Sequence, residues 1–182
     1  MKIYIFASKD INTESSKKIK KLKISSSDKV ILCNNPDDPC ISELLLKKNK
    51  HVDFRFLRGH PQQLFPDYTI RLKKKFNHSR TEYYVSEAND IKLFKHVNRL
   101  RFNKVHNLRI KYEDRLTDKQ KYQVLNVDYN GNKRPSLGFM AAVIMRRRFP
   151  NSEIYLCGFT FLMGTIHDSE FEKDYLLNKS KN

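Results

Sequence analysis

Two short stretches of the chain carry side chains whose order can do chemistry. In the run GTIHDSEFE, Gly164 to Glu172, a histidine is followed five residues later by a glutamate. An imidazole with an ordinary pKa of about 6.5 can take a proton from a hydroxyl at neutral pH. Ser169 and Glu172 have capping-box spacing, so a helix is predicted to begin at Ser169, with His167 on the loop before it and free to face a cleft. The same residues also fit a plain cap and a plain loop histidine. In KRPSLGF, Lys133 to Phe139, Ser136 is a good N-cap, Pro135 sets the entry to it, and Gly138 lets a ligand or a neighbouring backbone come close. The unpaired N–H groups of such a helix start attract anions, although spacing alone favours a plain cap with no ligand.

Those residues need strands and helices to hold them. Lys2 to Ala7 reads as a strand, Asn12 to Leu22 as a lysine-rich helix, and Lys29 to Cys33 as a strand apolar enough to be buried on both faces. The Asn34-Asn35-Pro36-Asp37-Asp38-Pro39 run is a loop by its chemistry, followed by a helix from Ile41 to Asn49 and a strand from Val52 to Leu57. The aromatic and basic middle, Arg58 to Tyr122, is read as lids and peripheral helices, with helix signals at Gln62 to Phe65, Glu87 to Leu100 and Thr117 to Tyr122. Tyr122 to Val127 reads as a strand and Asn130-Gly131-Asn132 as a turn. Ser136 to Phe149 is the strongest helix signal and Glu153 to Phe159 the strongest late strand. Strands alternating with helices predict an α/β fold, a Rossmann-like, mainly parallel sheet flanked by helices. At 182 residues it is expected to be one domain, residues 1–182.

Composition narrows the function classes. With 39% apolar residues and a mean hydropathy of −0.69 the chain is expected to be a soluble globule, and no apolar run reaches the roughly 20 residues that cross a bilayer. A cytosolic protein is the expectation. Three cysteines, Cys33, Cys40 and Cys157, show neither zinc spacing nor a disulfide framework. A net charge of +16 predicts attraction to polyanions, whether nucleic acid, an anionic membrane or a phosphate-bearing substrate. The basic runs, Lys17 to Lys23, Arg71 to Lys75 and Arg146 to Arg148, are dispersed and read either as solvated helix faces or as a binding surface.

The stretch PSLGFMAAVIMRRRFPNSEIYLCGF resembles the small sialylmotif of the sialyltransferases, and HDSEFE, downstream of it, resembles the same family's very small His-x-x-x-x-Glu motif. VILCNNP and VDFRFLRG are similar to parts of the large sialylmotif. The resemblance implies a sialyltransferase-like, GT-A-variant glycosyltransferase. Such an enzyme moves sialic acid from a CMP-sugar donor to a hydroxyl of a glycolipid or oligosaccharide acceptor, with inversion and with neither metal nor other cofactor. It implies His167 as general base and Glu172 as the residue that orients His167 or caps its helix. Asn34, Asn35, Ser136, Leu137, Gly138 and Gly158 would contact the donor. No Asp-x-Asp metal clamp occurs in the chain, which agrees with a donor that carries a single phosphate.

The chain also departs from the family. No His-Tyr motif stands between the small and very small motifs, and His60-Pro61 follows Gly59 where the large motif closes on an Asn. Cys33 and Cys157 invite comparison with the disulfide that joins the large and small motifs in animal members, but their offsets are shifted.

A CMP-Kdo-dependent transferase is implied equally well, because Kdo is also an acidic 2-keto sugar activated as a CMP ester. Peripheral contact with the inner face of an anionic membrane follows from the charge, and a second copy or a partner subunit is a way for so short a chain to complete its acceptor site. The competing classes are a non-catalytic relative that only binds nucleotide or glycan, and a basic nucleic-acid-binding protein. Against the latter, no zinc finger, RNP signature or Gly-x-x-Gly clamp occurs.

Overall fold

The structure, a computed structural model, describes residues 1–6, 13–33, 39–57, 81–85, 104–107, 122–123, 125–159, 161 and 166–178. Six strands, β1 (Lys2–Phe6), β2 (Lys29–Cys33), β3 (Phe54–Leu57), β4 (Glu82–Val85), β5 (Lys104–Asn107) and β6 (Glu153–Cys157), form one sheet in the order β5-β4-β3-β2-β1-β6. Every neighbouring pair is parallel. Parallel pairing needs crossovers that cover both faces, and the buried strands accordingly have apolar side chains on both sides. Ile3, Ile5, Ile31, Cys33, Phe54 and Phe56 point to one face, while Tyr4, Phe6, Val30 and Leu32 point to the other.

Four helices among the described residues complete the layers. On the second face α1 (Thr13–Lys20) and α2 (Pro39–Lys47) bury Ile19, Ile41, Leu44 and Leu45. Pro39 opens α2 where its missing N–H is not needed. Asn49 closes it at φ 47, with Lys50 N–H bonded to the Leu45 carbonyl and Asn49 N–H to that of Leu46, a Schellman ending. The first face carries α3 (Leu137–Arg148) and α4 (Ser169–Asn178), which supply Leu137, Phe139, Met140, Ala141, Ala142, Val143, Met145 and Leu176 to the core. The result is a Rossmann-like α/β fold with a parallel sheet flanked by helices, in agreement with the expectation at that level.

Three expectations need correction. β4 and β5 fall inside the stretch read as lids and peripheral helices, and extend the sheet there instead. Tyr122 to Val127 is not a strand: Val127 and Leu125 N–H both bond to the Tyr122 carbonyl and Asn126 has φ 46, so the segment curls into turns. β6 stops at Cys157 because Gly158, at φ 74, turns the chain away. The helix signals at 62–65, 87–100 and 117–121 lie outside the described residues.

From β1 the strand order runs outward to β5 on one side and to β6 on the other, so the topological switch falls between β1 and β6. In open parallel sheets, ligands bind outside the carboxyl ends of the strands at that point. The start of α3 lies at this edge: the Sγ of Cys33, the last residue of β2, is 3.8 Å from the Leu137 carbonyl. Among the described residues, no helix is long and apolar enough to cross a membrane.

Candidate functional site

Ser136 has extended geometry, φ −72 and ψ 157, and its hydroxyl accepts the Phe139 N–H at 3.1 Å, the geometry of an N-cap on α3. The second half of this cap comes from another helix. Glu172 Oε1 accepts the Ser136 main-chain N–H at 2.6 Å, and Oε2 accepts the Ser136 hydroxyl at 2.6 Å. In a capping box these roles belong to one helix; here α3 supplies the serine and α4 the carboxylate. The expectation that Glu172 caps its own helix is thereby corrected. Asp168 caps α4, its Oδ1 accepting the Phe171 N–H at 3.2 Å and its carbonyl the Glu172 N–H at 2.9 Å.

Glu172 is 4% exposed. Burial pushes its pKa up to about 7, with the Asp168 charge acting in the same direction and the hydrogen bonds from Ser136 and Tyr122 opposing. The Tyr122 hydroxyl lies 3.4 Å from Oε1, and its own pKa is pushed up by burial and by the Glu172 charge. Tyr122 packs within a ring cluster of Tyr129, Phe139 and Phe171 that joins α3 to α4.

His167 lies beside the same helix start and, against the expectation of an imidazole left free on its loop, is buried at 6% exposure. Its Nδ1 is 2.8 Å from the Arg134 carbonyl, and the Arg134 N–H bonds to the Ile166 carbonyl at 3.3 Å, so the two loops exchange hydrogen bonds. A carbonyl only accepts, so Nδ1 carries the proton and Nε2 is the basic nitrogen of the neutral ring. Asp168 is held at its other oxygen by the Tyr129 hydroxyl at 3.0 Å, and the Lys133 N–H donates to that hydroxyl at 3.2 Å. These bonds fix the loop that carries His167.

Five of the residues singled out from the sequence therefore meet at one place: Ser136, Leu137, Gly138, His167 and Glu172. Gly158 ends β6 on the switch-point strand, and the ring of the next residue, Phe159, lies where a Cβ on Gly138 would come within 2.6 Å. Gly138 is thus matched to a side chain of its own protein. Asn34 and Asn35 follow Cys33 directly but lie outside the described residues. Both donors of Ser136 are taken by Glu172, the amides of Leu137 and Gly138 belong to the first turn of α3, which has no intrahelical acceptors, and the buried Nε of Arg134 meets no acceptor among the described residues. Sequence reasoning missed Tyr122, Tyr129, Arg134 and Asp168. Only Asp168 carried a local signal, being itself a favoured N-cap residue.

Other sequence features have internal explanations. The arginine run of α3 is engaged within the fold: Arg146 bonds the Leu176 carbonyl, Arg147 the Asn126 carbonyl, and Arg148 both Glu82 and the Tyr84 hydroxyl. Cys33 and Cys157 face opposite sides of the sheet with β1 between them, two strand spacings or about 10 Å apart, beyond the roughly 7 Å a disulfide spans. Both are free, and burial pushes the Cys157 thiol up to about 12 and that of Cys33 higher still. No group of three or more His, Cys, Asp or Glu side chains suited to a metal ion occurs among the described residues.

No protein family, curated protein or solved structure matches this chain.

Proposed function

We propose that the protein is a CMP-sugar-dependent glycosyltransferase of GT-A-variant type. In this reading it transfers an acidic 2-keto sugar, sialic acid or Kdo, to a glycan hydroxyl with inversion and without a metal. The observation that carries it is the junction of the Pro135-Ser136-Leu137-Gly138 helix start with the 167–172 segment, at the carboxyl edge of the sheet. The two motifs that resemble sialyltransferases are 36 residues apart at Ser136 and Glu172, yet joined by two hydrogen bonds of 2.6 Å. His167 is tied to the same start through Arg134.

His167 Nε2 accepts the proton of the acceptor hydroxyl as its oxygen attacks the anomeric carbon. The bond from that carbon to the CMP phosphate breaks, and CMP leaves with the bonding pair. The Leu137 and Gly138 amides and the Arg134 guanidinium, whose Nε would gain an acceptor, stabilise the phosphate or the sugar carboxylate. Ser136 and Glu172 shape the helix start and do not touch the sugar, while Gly158, at the end of β6, and Asn34 and Asn35 are further donor contacts in this reading. Acceptors are glycolipids or oligosaccharides.

Titration with CMP and with single-stranded DNA across a salt series tests this reading against the nucleic-acid one. Saturable CMP binding that changes little with salt supports the transferase. Absence of CMP binding, together with DNA binding that falls steeply with salt, contradicts it.

A further inference from the structure

We propose that the outer face of the α1–α2 layer docks onto an anionic lipid bilayer. Ile19, Ile41, Leu44 and Leu45 turn inward to the sheet, which leaves the opposite sides of both helices in solvent. On the α1 side the exposed Lys17, Lys20 and Lys21 stand at i, i+3 and i+4, one stripe of a helix. On α2 the exposed Glu43, Leu46 and Lys47 repeat that spacing. Lys20 Nζ is 3.4 Å from the Glu43 carboxylate, so the two stripes adjoin in one surface. Both partners of that contact are more than half exposed, at 56% and 65%, and it holds little energy that a membrane would have to overcome.

Lys18 of α1, Lys23 after α1 and Lys48 after α2 are also exposed, which adds to the positive charge of this layer. Within it, Leu46 is 63% exposed, the highest value of any large apolar side chain among the described residues. An exposed apolar side chain on a layer rich in ammonium groups matches a bilayer with anionic headgroups, where the lysines meet phosphates and the leucine enters the acyl boundary. Nucleic acid would favour aromatic faces for stacking or guanidinium forks for phosphate. This patch exposes lysine, glutamate and leucine, and each arginine of α3 is hydrogen-bonded within the chain, Arg147 at the surface. The patch also lies across the sheet from the Ser136–Glu172 junction, so it stands whether or not the transferase reading does.

Co-sedimentation with vesicles of phosphatidylcholine, with and without phosphatidylglycerol, tests it. Binding is expected only with phosphatidylglycerol. Lys17→Glu with Lys21→Glu should weaken it by roughly 30-fold or more, at about a fivefold loss for each lysine-membrane contact. Leu46→Ser should weaken it several-fold. Lys133→Glu with Lys173→Glu, the same change in net charge on exposed lysines of the α3–α4 side, should leave most of the binding. Failure to bind phosphatidylglycerol vesicles overturns the proposal, as does equal weakening by the two double variants. Displacement from the vesicles by single-stranded DNA at matched phosphate, with DNA binding lost in the α1 double variant, assigns the patch to nucleic acid and overturns it too.

Discussion

The Glu172 carboxylate holds both the main-chain N–H and the hydroxyl of Ser136, each at 2.6 Å, and so closes the start of α3 from a separate helix. Removing it leaves two buried donors without acceptors, each costing about 1–3 kcal/mol. Glu172→Ala is therefore expected to lower unfolding stability by about 2–5 kcal/mol. Glu172→Gln, which keeps an acceptor, should lose about 1 kcal/mol or less near neutral pH. Urea denaturation of the three proteins checks both values.

The same carboxylate has a signature in pH. Its folded pKa, about 7, lies above its ordinary value of 4.5, so the folded state holds the proton more tightly than the unfolded chain. Its stabilising contribution is full below about pH 4.5, falls as pH rises toward 7, and is flat above that. Stability measured from pH 4 to 8 for the wild type minus that for Glu172→Gln should decline across this window by an amount on the order of 3 kcal/mol. A difference that is flat, or that rises with pH, contradicts the burial argument.

Gly138 is matched to the Phe159 ring, which a Cβ would meet at 2.6 and 2.7 Å. Alanine is the better helix former by about 1 kcal/mol, but overpacking costs about 1–3 kcal/mol. Gly138→Ala is expected to destabilise, and Phe159→Leu in the same chain to restore most of the loss. A double-mutant cycle on melting temperature reads the coupling directly, and additivity would place the ring away from Gly138 in solution.

The arginine run of α3 separates by role. Arg148 Nη2 bonds Glu82 at 3.0 Å, its Nη1 bonds the Tyr84 hydroxyl at 2.7 Å, and its guanidinium carbon lies 4.8 Å from the Phe54 ring centre. Glu82 is 8% exposed, so Arg148→Ala would take the guanidinium away from a buried carboxylate and cost about 3 kcal/mol. Arg147→Ala, which removes only an exposed bond to a carbonyl, should change stability by about 0.5 kcal/mol or less. Equal small effects would return the run to the class of solvated helix faces.

The elements legible in the sequence are those whose own residues determine their burial. β1, β2 and β6 each carry four apolar or aromatic residues in a row after one opening charge, and α3 announces itself through Pro135, Ser136 and an apolar stretch. β4 was hidden because Glu82-Tyr83-Tyr84-Val85 opens on a charge whose burial depends on Arg148, 66 residues away. Tyr122 to Val127 mimicked a strand because Tyr122, Leu125 and Val127 are buried, although by turns against the ring cluster. At the site, the Ser169–Glu172 spacing suggested a local cap, and only the fold shows that Glu172 reaches across to Ser136 while Asp168 does the local capping. Neighbourhoods made by distant residues leave no periodicity to read.

The most direct measurement for the transferase reading is release of free CMP from CMP-sialic acid and from CMP-Kdo, by the wild type and by His167→Ala. Release from one of these donors by the wild type is expected, reduced by about 10²- to 10⁴-fold in the variant as the base is lost. No release from either donor in the presence of glycan acceptors, or equal release by the two proteins, would contradict that reading.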